Sequence, residues 1–225
     1  MRARRAGSAV MGSAAVQDLT RAHRQDLVAT LETLKPEQWQ APSLCSEWRV
    51  VDVAAHLAWA PVLGVGAGAA AMVRHGFSMN RMIARSAVGW SDRGLDAILA
   101  QLRDNARTGA TPIGMPPVAA LADAVVHGMD VRRPLGLPAR VPVEALGPLA
   151  EFSLRTPWPM NVVVGGSARR RVAGVRLVAT DADWTHGSGP DVLASAETLL
   201  LLLYGRHVAP SGLTGPGAGV LLARL

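Results

Sequence analysis

Three polar residues stand out in the run LADAVVHGMDVRRPLG, residues 121–136. Asp123, His127 and Asp130 are spaced i, i+4 and i+7 among Leu121, Val125, Val126 and Met129. At 3.6 residues per turn this spacing sets all three on one face of a helix. A carboxylate and an imidazole one turn apart can grip one metal ion, or one can orient the other. A buried polar stripe without partners is costly, so another element must face it. His56, in the run VVDVAAHLAWA (residues 50–60), is the candidate. Two histidines and a carboxylate from facing helices make a three-ligand set for a metal that keeps an open position. The competing reading is that each is a core polar residue satisfied by hydrogen bonds.

Other reactive side chains are few. Cys45 is the sole cysteine, which excludes an internal disulfide and a cysteine-based zinc site. It suits a reducing, cytoplasmic setting. No acid–base partner for it is evident in the sequence, so it reads as a packed residue rather than a nucleophile. His23, His75 and His207 read as structural or surface residues.

The elements that must position these groups are mostly helices. Pro116 and Pro117 suit the first turn of the central helix, and Pro134 with Gly136 ends it. Upstream, Val16, Leu19, His23, Leu27, Leu31 and Leu34 form one stripe of a helix over residues 14–34. A loop comes next, with Trp39 and Trp48 as anchors onto the bundle and Ser46 as a cap for the helix 49–60. Pro61 should break that helix. A small-residue helix is expected over 67–83. Ser91 should cap another, running to residue 107 with Leu95, Ile98, Leu99 and Leu102 inward.

The pattern changes after Gly136. Residues 138–142 read as a linker, and Pro142 opens a helix over 143–154. Residues 161–164 are β-branched and predict a strand. Residues 172–180 alternate as a strand does, with Val175, Leu177 and Ala179 on one face. A turn-rich loop comes after it, then a Leu-rich helix from Pro190 to Tyr204 ended by Gly205. The end, GAGVLLARL, reads as a last strand. The expected class is therefore α+β, with three parts. Residues 1–13 are a disordered N-terminus, 14–137 a four-helix bundle with the metal site, and 138–225 a small α/β domain.

Composition sets limits. The chain has 225 residues, 49% of them hydrophobic, enough to bury a full core. The formal net charge is +6, three of it from Arg2, Arg4 and Arg5. That balance, without arginines interleaved with aromatics, argues against a nucleic-acid partner. Lys35 is the single lysine among 23 basic residues, an association with GC-rich bacterial genomes. The basic start lacks an apolar core for a signal peptide. Residues 54–73 carry no formal charge and approach membrane-span length. Their three glycines, proline and histidine favour two buried helices over a span, so no membrane partner is expected.

The run PSLCSEWRVVDVAAHLA, with Trp48 ahead of the helix bearing Asp52 and His56, resembles the N-terminal signature of the mycothiol-dependent maleylpyruvate isomerase family. VVHGMDVRRPLG is similar to that family's second signature. DADWTHGSGPDVLASAETLLLLLYGR, with LTGPG after it, resembles its C-terminal sterol-carrier-like domain. The resemblance covers nearly all of the chain from residue 14. It implies a DinB-like bundle holding a divalent metal, typically zinc, through a histidine of the second helix and an E-x-x-x-H pair of the last. These positions fall on His56, Asp123 and His127. The chain departs at the middle one, where aspartate's arm is one methylene shorter than glutamate's. Asp130 is placed to accept the other N–H of a ligating histidine, or to pair with Arg132 or Arg133. The implied cosubstrate is mycothiol, and the implied partner a small electrophile to be isomerised or conjugated. Arg206 could bind an anionic group of thiol or substrate, or simply be a helix C-terminal cation. His186 could line a cleft between the two halves. The alternative is a non-catalytic, DinB-like ligand-binding protein in which the polar cluster is structural. Either a monomer or a homodimer fits.

Overall fold

The computed structural model describes residues 11–139 and 141–225. The expected disorder over residues 1–13 falls mostly outside the described residues, and Ser13 already begins a helix. Among the described residues eleven α-helices, three 3-10 helices and three short strands are formed, an α+β architecture that is mostly helical.

Helix α1 (Ser13–Glu32) packs on α6 (Leu95–Thr108) and α7 (Pro117–Arg132). Helix α3 (Val50–Trp59) packs on α5 (Met79–Ser91), α6 and α7. These helices enclose a core that includes Leu27, Leu31, Val53, Ile98 and Leu102. Helix α7 is buried on nearly every face because it serves two cores. Leu121, Val125, Val126 and Met129 face the second one, with α8 (Val143–Arg155) and α10 (Ala196–Leu203). The short α2 (Pro36–Trp39) buries Trp39, and Trp48 is buried at the end of the loop after it, so both tryptophans anchor that loop.

Several elements differ from the sequence reading. The helix expected over 67–83 is two, α4 (Val65–Arg74) and α5, parted by left-handed Gly76 and Phe77. Ser46 caps nothing, and α3 is capped from inside by Asp52. Ser91 closes α5, and Gly94 opens α6. The β-branched run 161–164 lies within a 3-10 helix, Met160–Val164. A short helix α9 (Ala168–Arg171) comes after it. Strand β1 (Arg176–Ala179) has the alternation read from sequence, with Leu177 and Ala179 buried. The turn-rich loop contains β2 (Thr185–Gly187), antiparallel to β1. Residues assigned to the start of the Leu-rich helix instead form β3 (Asp191–Ala194), parallel to β1 on its other edge. Ser195 then caps α10 through Thr198 N–H. The last segment is a helix, α11 (Ala218–Leu222), not a strand. Among the described residues no helix is long and apolar enough to cross a membrane.

Asp52 fixes the start of α3, the helix that carries His56. Its Oδ2 accepts the Arg49 N–H at 2.9 Å and Arg49 Nε at 2.9 Å, and its Oδ1 accepts Arg49 Nη2 at 2.9 Å. Burial pushes the Asp52 carboxyl up, but these bonds outweigh it and hold the group below the usual carboxylate range. Its contribution is therefore present above the ordinary carboxylate pKa and lost as the pH falls below it. Replacing Asp52 with alanine removes the cap and strands the Arg49 N–H. A loss of roughly 1–3 kcal/mol is expected in urea unfolding, and a change below about 0.5 kcal/mol would rule out the capping role.

Candidate metal centre

His56 sits in the last turns of α3, while Asp123 and His127 lie one turn apart on α7, across the α3–α7 contact. Their ligand atoms all lie within 4.8 Å of one another. Sequence spacing predicted the shared face of α7, and the fold brings His56 onto it. The two imidazoles meet edge to face at 5.0 Å between centroids. Trp48 covers both rings, at 5.3 Å from His56 and 6.1 Å from His127.

Asp130 lies one turn further along α7 and is fully buried. Its Oδ2 accepts from His127 Nδ1 at 2.8 Å, which leaves Nε2 of that ring free of this bond. The same carboxylate receives Arg206 in a bidentate pair, Nε to Oδ1 at 3.0 Å and Nη2 to Oδ2 at 2.6 Å. Burial alone would raise the Asp130 carboxyl, but the His127 and Arg206 bonds keep it far below its ordinary value. Asp130 is thus not a partner of Arg132 or Arg133, which pair with Asp26 at 2.6 Å and Glu197 at 2.8 Å.

Arg206 comes from the other end of the chain. Helix α10 ends in a Schellman turn: Gly205 is left-handed, Arg206 N–H donates to Leu201 O at 2.8 Å and Gly205 N–H to Leu202 O at 3.1 Å. The turn aims the guanidinium back at α7, and Nη1 donates to Tyr204 O at 2.8 Å.

Cys45 belongs to this cluster, contrary to the sequence reading. Its Sγ donates to Asp130 Oδ2 at 3.0 Å, accepts from Arg206 Nη2 at 3.3 Å and lies 3.7 Å from His127 Nδ1. These partners are 82 to 161 residues away in sequence, so no local pattern announces them. A usable signal was Trp48, whose anchoring role was legible. The loop that lays Trp48 over the histidines must bring Cys45 with it.

The electrostatics separate the two histidines. Burial, helped by His127 and Arg206, lowers the His56 pKa to about 3, so this ring is a neutral donor. Burial also opposes a proton on His127, but Cys45 and Asp130 outweigh it and raise that ring to about 10. Burial likewise raises the Asp123 carboxyl, against the pull of His127 and Arg24. His56 Nδ1 is buried with no hydrogen-bond partner. A neutral imidazole with an orphaned nitrogen, a second imidazole that is oriented by a carboxylate and gives up its Nε2 proton on ligation, and a carboxyl whose charge burial opposes fit a divalent cation between them.

The cluster opens on a cavity of about 740 Å3 lined from both halves of the chain, with His56, Asp123, His127, Cys45, Arg206 and His207 in its wall. His207, read as structural or surface, is therefore at the cavity. His186 is not in this wall; it lies on β2, stacked on Trp184 at 6.1 Å.

A sequence profile of the mycothiol maleylpyruvate isomerase N-terminal domain matches residues 20–147. No curated protein matches the sequence significantly. The fold is similar to the crystal structure of a mycothiol-dependent maleylpyruvate isomerase, with a TM-score of 0.56 and 14% identity over 92% of this chain and 94% of that one. It is also similar to a histidine-to-alanine mutant of such an enzyme, with a TM-score of 0.55 and 13% identity over the same shares of the two chains.

Proposed function

The chain belongs to the mycothiol maleylpyruvate isomerase family, and from that premise we propose that it uses a low-molecular-weight thiol, mycothiol or a close analogue, in a metal-dependent reaction on a small electrophile. The thiol sulfur adds to an activated double bond. Rotation and loss of the same sulfur isomerise the substrate, and retention conjugates it. The observation that carries this reading is the convergence of His56, Asp123 and His127 on one cavity wall, with the His56 Nδ1 left unpaired.

His56, Asp123 and His127 would hold the cation, for which this donor set favours zinc. When bound, it supplies the Lewis acidity that ionises a thiol near neutral pH. Asp130 holds the His127 ring in one orientation, and Arg206 holds Asp130. Trp48 shields both histidines from water. We assign the metal ligands to an N-terminal bundle, residues 14–137, and Arg206 to a C-terminal unit, residues 138–225. The single cysteine is free, which suits the cytoplasm.

Elemental analysis of protein purified without chelator tests the reading. About one equivalent of a transition metal is expected. A content below about a tenth of an equivalent, unchanged by added zinc, would exclude it at the affinities typical of such sites. One observation favours a second reading, a small-ligand-binding protein with a structural polar cluster: Asp123 stands where the family signature has glutamate, with a shorter reach. Metal content together with mycothiol binding separates the two.

A further inference from the structure

The cavity says more about the electrophile than the cluster does, and a substrate class drawn from it rests on the thiol-transfer reading. The wall away from the ligands is built from α5, the turn before α7, α8 and the 3-10 helix. It presents Met79, Met82, Ile83, Met115, Phe152 and Met160. Thioethers and aromatic edges make an adaptable, polarisable surface that suits apolar bodies of varied shape. A volume of about 740 Å3 is that of a pocket for a drug-sized molecule.

The charges of the wall point the same way. Among the lining residues Arg206 is the one guanidinium, against the carboxyl groups of Glu47 and Asp123. Arg206 is already committed to Asp130 through Nε and Nη2 and to Tyr204 O through Nη1. Asp130 is fully buried, so turning Arg206 toward a ligand would leave its Oδ1 unpaired and its charge to His127 and Cys45 alone. A small dicarboxylate would find Arg206 already paired with Asp130 and the acidic Glu47 in the wall, Asp123 being taken up as a ligand. An uncharged molecule avoids that conflict and gains the methionine wall.

We propose that the electrophile accepted here is uncharged and carries a hydrocarbon or aromatic body, as an alkyl or aryl enone does. The thiol sulfur would bond to its β-carbon as the π electrons shift toward the carbonyl. A proton from water on the α-carbon completes the conjugate. Loss of the sulfur from that adduct instead restores the alkene and the thiol.

Binding of unreactive analogues tests the substrate class without turnover. The probes are straight-chain methyl ketones from butanone to decanone, with maleate and fumarate as the dianionic arm. They are titrated into the full chain and tracked by calorimetry and by fluorescence of Trp48 and Trp90, which lie in the cavity wall. Ketone affinity should rise about fourfold for each added methylene until the cavity is filled. The dianions should bind at least about tenfold more weakly than decanone. Replacing Met115, in a partly exposed turn, with glutamate should weaken decanone at least about tenfold, and Met160→Glu should do the same. A flat ketone series, a dianion that binds more tightly than decanone, or no effect of either folded variant overturns the proposal. Zinc content is measured on the same samples. Chain-length dependence without bound zinc leaves the substrate class standing and removes the metal reading. Bound zinc with a flat series does the reverse.

Discussion

Replacing His127 with alanine is expected to lower zinc affinity by more than about 100-fold, beyond the 10- to 100-fold loss typical of residues that only support a ligand. The geometry sets the size of the effect. His127 faces His56 at 5.0 Å and is oriented by the 2.8 Å bond to Asp130. Without its ring, two donors remain, too few to hold a divalent ion against water. The fold should survive, because the buried Asp130 keeps both Arg206 contacts and Cys45. The structural reading of the cluster expects the opposite pattern: no metal in the parent protein, and a lowered unfolding midpoint in the variant. His56→Ala should behave as His127→Ala does, whereas Asp130→Asn should fall within the smaller range. Competition with a chromophoric chelator gives the affinities, and urea unfolding by tryptophan fluorescence gives the stabilities. Unchanged zinc affinity in both histidine variants would remove these residues from the metal site.

How much of this was legible in the sequence depends on range. Helices α1, α3 and α7 announce themselves because each carries an apolar stripe longer than two turns, bounded by proline or glycine. The face shared by Asp123, His127 and Asp130 comes from spacing alone. The C-terminal half is harder because its elements are short. A four-residue apolar run has no readable period. Residues 162–164 are β-branched, yet they close a 3-10 turn stopped by left-handed Gly165. The Leu-rich helix swallowed β3 in the sequence reading because Val192, Leu193 and Ala194 run without a charge up to Ser195 and the first residue of α10, Ala196. The break was marked by Ser195, whose side chain accepts the Thr198 N–H at 3.3 Å. The contacts of Cys45 and Arg206 with Asp130 are long-range side-chain packing, which no local pattern encodes.

The same Arg206 leads to the second large expected effect, at a residue outside the polar cluster. Gly165 and Gly205 touch backbone to backbone, joining the end of the 3-10 helix to the end of α10. Gly165 has φ +86°, and a Cβ there would lie 1.9 Å from Tyr204 O. Gly205 has φ +74°, and its Cβ would lie 2.4 Å from Gly165 O. Arg171 ties the same junction, donating Nη1 to Leu202 O and Leu203 O at 3.1 Å each. Both obstacles are backbone atoms held by a helix end, so neither can swing aside as a side chain would. Gly165→Ala combines left-handed strain of roughly 1–2 kcal/mol with overpacking of roughly 1–3 kcal/mol. A loss of about 2–5 kcal/mol is expected, a large share of the roughly 5–15 kcal/mol that holds a domain folded. Because Arg206 comes directly after Gly205, the clash should also pull the guanidinium from Asp130 and release the His127 ring. Zinc affinity should then fall together with stability, although residue 165 carries no ligand. Urea unfolding and zinc titration of the same variant check this. A midpoint equal to the parent's would show that the junction opens freely. Lost stability with unchanged zinc affinity would show that Arg206 does not position the histidine.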